Sequence, residues 1–234
     1  MKALLLAAGF GTRLKPYTDH TPKVLMPICG KPLLDYWLHD LTAAGISDIL
    51  VNTHYLYEKV YNFLDQSDYE VKVFHEEVLL GTGGTLLANK DFFANDSIML
   101  VHADNLSHFD VDAFMSAHEN RPSDCHITMM SFATDTPESC GILELDENNI
   151  VVEFHEKVAN PPGNRANAAV YILDESVMGF LRSLGKEEID FSTEVIPHYM
   201  GRILEWHNDV YHRDIGTPES YEKANKEFGE LLNG

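Results

Sequence analysis

The sequence predicts an α/β fold built on a mostly parallel sheet. Three observations predict it. Short apolar runs alternate with stretches whose apolar residues recur every three or four positions, the pattern of buried strands joined by crossover helices. The first run, residues 2–8, is continuous, apolar and closed by a glycine, as expected of a strand buried on both faces. The chain is 234 residues long and 44% hydrophobic, enough for a full core.

The elements follow in order. Residues 33–44 place Leu33, Leu34, Trp37, Leu38, Leu41 and Ala44 at helical spacing, and Gly45 is suited to end that helix. A strand is expected at 49–53, a helix at 57–64 and a strand at 70–74. A helix then opens at 82–88 after a glycine-rich loop, with an apolar strand at 97–102 ending near Asp104. A helix at 111–120 and a strand at 125–133 complete the repeating pattern. Beyond Pro137 the pattern changes: 141–146 and 150–155 read as a hairpin around Glu147-Asn148-Asn149, and 167–173 as a strand. Helices are expected at 176–184, 193–200 and 218–232. The second half reads as a mixed layer completing the same sheet. The expected architecture is therefore a Rossmann-like three-layer sandwich with a mostly parallel mixed sheet. No low-complexity linker or internal repeat interrupts it, so residues 1–234 are expected to form one domain.

Composition narrows the function. Seventeen Lys and Arg against 37 Asp and Glu give a net charge of −20, which repels nucleic acid and anionic membranes. Any anion site must then concentrate its cations locally. No apolar stretch approaches the roughly 20 residues needed to cross a bilayer. The short apolar run at the N-terminus leads into Gly11-Thr12-Arg13-Leu14-Lys15 rather than a small-residue cleavage site, so a signal peptide is not expected and a cytoplasmic location is. Cys29, Cys125 and Cys140 are odd in number and widely spaced, which fits neither a disulfide framework nor a zinc site.

One stretch carries chemistry. The first strand runs into Ala7-Ala8-Gly9-Phe10-Gly11-Thr12-Arg13, and Lys23 follows between Pro22 and Pro27. Glycines let backbone N–H groups approach phosphate oxygens, Arg13 supplies a fork of donors and Lys23 a point charge. Gly-x-Gly-x-x-Gly is absent because its third glycine position holds Leu14, and no Gly-Lys-Ser/Thr follows, so neither a dinucleotide fingerprint nor a Walker loop is present. On spacing alone, a tight strand-to-helix turn with two surface cations remains an equal alternative. Asp104 stands at the C-terminal end of a strand, where open α/β sheets place ligands; as a turn former or helix cap it would serve structure only.

Leu6-Ala7-Ala8-Gly9-Phe10-Gly11-Thr12-Arg13-Leu14 followed by Pro22-Lys23-Val24-Leu25-Met26-Pro27-Ile28 resembles the signature of the sugar-phosphate nucleotidyltransferases, the NDP-sugar pyrophosphorylases. The resemblance continues through Leu80-Gly81-Thr82-Gly83-Gly84, Ala103-Asp104, Phe154-His155-Glu156-Lys157, Asn167-Ala168-Ala169-Val170-Tyr171-Ile172 and Asp214-Ile215-Gly216-Thr217-Pro218, covering nearly the whole chain. It is nearest to the mannose-1-phosphate and heptose-1-phosphate guanylyltransferases, with the N-acetylmuramate-1-phosphate uridylyltransferases close by. No left-handed β-helix or acyltransferase segment follows Asp214, so a bifunctional chain is not expected.

The resemblance implies a GT-A-like nucleotidyltransferase fold and the reaction of NTP with a sugar 1-phosphate to give NDP-sugar and pyrophosphate. It implies Mg²⁺ as cofactor, held by Asp104 and Asp214, and Arg13 and Lys23 as the catalytic residues. Ala7, Ala8, Gly9, Gly11, Thr12, Arg13, Glu76, Gly81, Thr82 and Asp104 would bind the nucleotide. Gly141, Glu156, Lys157 and Asn167 would bind the sugar phosphate. Relatives that read thymine or uracil carry Gln where this chain has Glu76; a carboxylate accepts from guanine's N1–H and N2–H₂ edge, which points to GTP and a mannose-1-phosphate-like partner. Glu76 as a plain surface carboxylate is the alternative. Glu194 could contact sugar or simply cap its segment, and Tyr36, Trp37 and Tyr171 read as core. His102 and Ala169 depart from the family pattern, which has Asn and Gly there. The expected partners are the two small-molecule substrates, with no nucleic acid and no membrane, and a homodimer is one conceivable assembly. Rival readings are a uridylyl- or thymidylyltransferase for N-acetylmuramate or glucose 1-phosphate, a transferase for another phosphomonoester such as phosphocholine, and a non-catalytic binding or regulatory subunit. A non-catalytic subunit should have lost Arg13, Lys23, Asp104 or Asp214, and all four are present.

Overall fold

Residues 1–233 are described by the computed structural model. Strand β1 (Lys2–Leu6) leads into 3-10 turns at Thr12–Leu14, Tyr17–Asp19 and Lys23–Leu25, then the paired dipeptides β2 (Pro27–Ile28) and β3 (Lys31–Pro32) and helix α1 (Leu33–Ala43). There follow β4 (Ile49–Thr53), α2 (Tyr57–Asp65), β5 (Val71–His75), α3 (Gly81–Ala88), α4 (Lys90–Phe93), β6 (Ile98–His102), β7 (Asn105–His108) and α5 (Val111–Glu119). The remainder comprises β8 (Ile127–Ala133), β9 (Gly141–Leu145), β10 (Val151–Glu156), β11 (Arg165–Leu173), α6 (Glu175–Ser183), β12 (Ile203–His207), β13 (Tyr211–Asp214) and α7 (Pro218–Asn233). The class is α/β, as expected. Among the described residues no helix is long and apolar enough to cross a membrane.

The chain forms two compact units, each assembled from separated segments. Unit A comprises Ala3–Leu79, Val101–Phe109 and the chain from Val210 onward; unit B comprises Met1–Lys2, Leu80–Leu100 and Asp110–Asp209.

In unit A, β4 lies between β1 and β5, parallel to both, with Ala3 opposite Ile49 and Ile49 opposite Val71. Every residue of β4 is buried, so both faces are covered; Ile49, Leu50 and Val51 are apolar, and the polar Asn52 and Thr53 end the strand. A separate antiparallel ribbon pairs β7 with β13, Asn105 opposite Asp214 and Ser107 opposite His212. An apolar cluster of Leu14, Met26, Ile28, Leu33, Leu106, Ile215, Ala224 and Phe228 joins the glycine loop, the ribbon and α7. Each of the Leu, Ile, Met and Phe side chains contributes roughly 1.5–3 kcal/mol on burial, which fixes the loop and the ribbon to a common base.

In unit B, β11 pairs antiparallel with both β8 and β9; β10 pairs antiparallel with β9, and β12 runs parallel to β8. The hairpin expected around Asn148 is present as β9 and β10. Its turn is closed by Asp146, whose Oδ1 accepts from the Asn148 and Ile150 N–H groups at 2.8 and 2.9 Å, while Asn149 adopts φ +61°. Strand β11 is bulged between Asn167 and Tyr171.

The structure corrects the expectation at 193–200. No α-helix forms there: Phe191–Val195 is a π turn and Ile196–Tyr199 a 3-10 turn. Pro197 stands at the start of the second turn and lacks the N–H an α-helix needs. Strands β7, β12 and β13 were not expected. Asn105-Leu106-Ser107-His108 and Tyr211-His212-Arg213-Asp214 are too polar to read as strands, and pairing with each other is what makes them so.

Candidate active site

The chemistry-bearing residues of unit A converge at the end of the β7–β13 ribbon. Ala103 donates its N–H to Leu6 O at 3.1 Å, tying the segment before Asp104 to the end of β1. The Trp37 indole donates to Asn105 O at 2.9 Å and holds the segment after it. Cross-strand pairing of Asn105 with Asp214 then brings two carboxylates together from positions 110 residues apart. Lys23 lies between them. Its ammonium donates to Asp104 Oδ2 at 3.0 Å and to Asp214 Oδ1 at 2.9 Å. Arg13 approaches the other oxygen of the same carboxylate, Asp214 Oδ2, at 3.3 Å.

Lys23 is only 5% exposed. Burial by itself would lower its pKa, but the fields and hydrogen bonds of Asp104 and Asp214 prevail and raise it above the ordinary lysine value. Burial would likewise raise Asp104, yet the Lys23 charge, followed by His102, holds its pKa below the usual carboxylate range. Lys23 and Asp104 are therefore both charged near neutral pH. Neighbouring His212 is held down to about 3, chiefly by burial, and adds no charge; its ring pairs with Ser107 Oγ at 2.5 Å.

Glycines shape this cluster. Gly11 has φ +61°, and a Cβ there would meet Thr18 Cγ2 at 2.9 Å and Lys23 Cβ at 3.3 Å. Thr18 completes the turn by donating its hydroxyl to Gly11 O at 2.7 Å. A Cβ at Gly216 would lie 2.7 Å from Arg13 Nη2 and 2.8 Å from Asp214 Oδ2, so only glycine leaves that ion pair room. Gly9 and Thr12 are exposed beside these groups. Ala7 and Ala8 are buried, and the Ala7 N–H is already committed to Asn52 Oδ1 at 2.7 Å.

Asn52 in turn donates to Glu76 Oε1 at 2.8 Å. Glu76 is 3% exposed, which removes the reading of it as a plain surface carboxylate. Its carbonyl pairs with His54 Nδ1 at 2.7 Å. Parallel pairing of β4 with β5 positions this chain from Ala7 to Glu76.

In unit B the expected sugar-phosphate residues gather on β9, β10 and β11. Glu156 pairs opposite Gly141, and a Cβ at Gly141 would meet Phe154 Cζ at 2.4 Å and Glu156 Oε2 at 2.7 Å. Lys157, 66% exposed, pairs with Glu156 at 2.9 Å. Asn167 donates to the Tyr171 hydroxyl at 2.7 Å and accepts from the Ala169 N–H at 2.9 Å, so its amide orientation is set by the bulge. Ala169 adopts φ +56°, a conformation glycine takes without strain. At the start of α3, the Gly83 and Gly84 N–H groups donate to Ile189 O, and Thr82 Oγ1 accepts from the Phe191 N–H at 2.8 Å. A Cβ at Gly81 would stand 2.5 Å from Ile189 O, so these glycines permit close packing of 187–189. Glu194 accepts from the Asp190 N–H and pairs with Lys186, the capping arrangement. Trp37 and Tyr171 are core, at 2% and 0% exposure.

Asn52 and Gly216 were given no role from the sequence. Gly216 sits inside the Asp214-Ile-Gly-Thr-Pro stretch, which offered a signal; Asn52 lies in an apolar strand and offered none.

Glycine-turn backbone, two cations and two convergent carboxylates define a site suited to a polyphosphate and a hard cation. The oxygen donors fit magnesium: Asp104 and Asp214 converge within 3.0 Å of one cationic atom, and Mg²⁺ is held by one or two carboxylates together with phosphate oxygens and water. A model of the nucleotidyl transferase family matches residues 2–230, and the chain belongs to that family. It is 29% identical over 97% of its length to a mannose-1-phosphate guanylyltransferase from Mycobacterium tuberculosis, covering 64% of that protein. It is 30% identical over 97% of its length to the low-salt glycan biosynthesis nucleotidyltransferase Agl11 of Haloferax volcanii, covering 65%. The chain thus spans less than two thirds of these curated relatives. Its fold matches a provisionally named glucose-1-phosphate thymidylyltransferase from Bacillus anthracis, crystallised with sucrose, at a TM-score of 0.85 and 23% identity, over 97% of this chain and 94% of that one.

Proposed function

We propose that the protein transfers a nucleotidyl group from an NTP to a sugar 1-phosphate, releasing pyrophosphate, with Mg²⁺ as cofactor. GTP and a mannose-1-phosphate-like sugar are the proposed pair. The observation that carries this reading is the ion cluster of Arg13, Lys23, Asp104 and Asp214 in a chain of the nucleotidyl transferase family.

A sugar-phosphate oxygen attacks the α-phosphorus; the new P–O bond forms as the bond to the β-phosphate bridge breaks, and pyrophosphate departs with its electron pair. A phosphate monoester's second pKa is about 6, so the nucleophile is already anionic and no general base is needed. The protein must instead hold two mutually repelling anions together and neutralise the leaving group. Arg13 and the amides of Gly9, Gly11 and Thr12 are assigned to the β- and γ-phosphates, and Lys23 to the α-phosphate and its attacker. Lys157 is assigned to the sugar phosphate, with Gly141, Glu156 and Asn167 on sugar hydroxyls. Asp104 and Asp214 would hold the magnesium, which supplies charge neutralisation to the phosphates when bound.

Glu76 supports the choice of GTP. A carboxylate accepts hydrogen bonds where the guanine edge donates them, and Glu76 stands where relatives that read thymine or uracil carry Gln. Gly81 and Thr82 are proposed to pass close to base and ribose. Pyrophosphate release measured with Mg²⁺ across GTP, UTP, dTTP, CTP and ATP, each with a panel of sugar 1-phosphates, tests the reading. Turnover that prefers UTP removes the guanine assignment in favour of the uridylyltransferase reading; no release from any pair overturns the function.

A further inference from the structure

We propose that Lys23 is the resident cation of the Asp104–Asp214 pair, and that a divalent ion enters only when nucleotide phosphates draw Lys23 away. The inference rests on the function proposed above and adds an order of events to it.

The ammonium is 3.0 Å from Asp104 Oδ2 and 2.9 Å from Asp214 Oδ1, so it occupies the position between the carboxylates that a shared metal would need. It cannot retreat easily. Its side chain is 6% exposed, and a turn stiffened by Pro22 and capped by the Met26 N–H on Lys23 O fixes its backbone. Arg13 adds a second positive charge on Asp214. Two carboxylates are thus balanced by two cations before any ligand arrives. A divalent ion alone would enter a neutral cluster already holding a cation at its centre, and would be repelled. A nucleotide polyphosphate changes the balance, because it brings more negative charge than the metal brings positive. It gives Lys23 and Arg13 new partners and supplies the oxygen ligands that magnesium requires besides the carboxylates. Lys23 then passes from carboxylate to phosphate, and the metal takes its place.

The test uses Mn²⁺ as the probe, following the EPR signal of protein-bound Mn²⁺ against a matched Mn²⁺–nucleotide solution without protein, together with the melting temperature of the protein, without sugar phosphate so that nothing turns over. Without nucleotide, wild type is expected to bind Mn²⁺ weakly, and GTP (with UTP as a second nucleotide) to tighten binding by roughly tenfold or more. Lys23→Met is expected to bind Mn²⁺ without nucleotide at least roughly tenfold tighter than wild type and to recover melting temperature on adding it. Asp214→Asn keeps the Lys23–Asp104 pair and is expected to lose the nucleotide-dependent binding; it serves also if Lys23→Met fails to fold. Wild type that binds Mn²⁺ equally well with and without nucleotide overturns the displacement while leaving the proposed function standing. No Mn²⁺ binding by wild type under either condition overturns both the displacement and the metal role of Asp104 and Asp214.

Discussion

In unit A the polar residues at 13, 23, 104 and 214 come from segments far apart in the chain, and full charges bind them to one another. In unit B those at 141, 156, 157 and 167 come from neighbouring strands. There a backbone bulge and mostly neutral hydrogen bonds set the geometry. The difference teaches what each can do. A compensated ion cluster is suited to reorganise when a polyanion arrives, as proposed for Lys23, whereas a strand-mounted set with fixed amide and glycine positions is suited to discriminate by shape and hydrogen-bond pattern.

The largest effect that would break this contrast is on turnover. Arg13→Ala is expected to lower kcat for pyrophosphate release on the order of 100-fold with little change in sugar 1-phosphate KM. Steady-state kinetics showing only a raised sugar KM would move Arg13 out of the phosphate role. In unit B, Gly141→Ala drives a methyl into Phe154 and Glu156; overpacking of this kind costs about 1–3 kcal/mol. The expected result is a lower melting temperature with a raised sugar 1-phosphate KM, and an unchanged KM would detach Gly141 from sugar binding.

A third effect compares the units by pH. His118 in unit B is held down to about 4, mainly by burial and then by Arg121, with Thr128 Oγ1 at 2.9 Å from its Nδ1. His212 plays the same part in unit A. Each has a folded pKa below the unfolded value of about 6.5, so the unfolded chain binds more protons between the two. Stability is therefore complete above about pH 6.5 and falls as the pH drops toward 4, by about 2 kcal/mol at pH 5 for His118. Urea midpoints for wild type and His118→Gln at pH 7.5 and 5 check this; equal slopes for the two proteins contradict it. The smallest effect is at the bulge. Ala169→Gly relieves a left-handed residue at some cost in chain entropy and should stabilise by about 0.5–1 kcal/mol, read as a small rise in melting temperature.

Much of the fold was legible because burial writes itself into periodicity. Residues 33–44 and 49–53 give a helix and a strand almost to the residue. The hairpin turn was visible in Glu147-Asn148-Asn149, while the closing role of Asp146 came from the structure. The polar ribbon of β7 and β13 was not legible, since neither strand has an apolar pattern and each exists by pairing with the other. The segment at 193–200 misled because its apolar spacing is helical while Pro197 denies the hydrogen bond. Glu76 was visible as a residue type, but its burial and its bond to Asn52 depend on two parallel strands meeting.

The sequence by itself determined the local devices: a glycine turn after a buried strand, two cations on short turns, and an acidic chain against which those cations stand out. These follow from backbone conformation and side-chain chemistry over a few residues. Tertiary structure alone decided that Asp104 and Asp214 face one ammonium. That meeting requires closing a loop of about a hundred residues, and its register comes from strand pairing and the apolar base beneath it, to which no local pattern in either segment points.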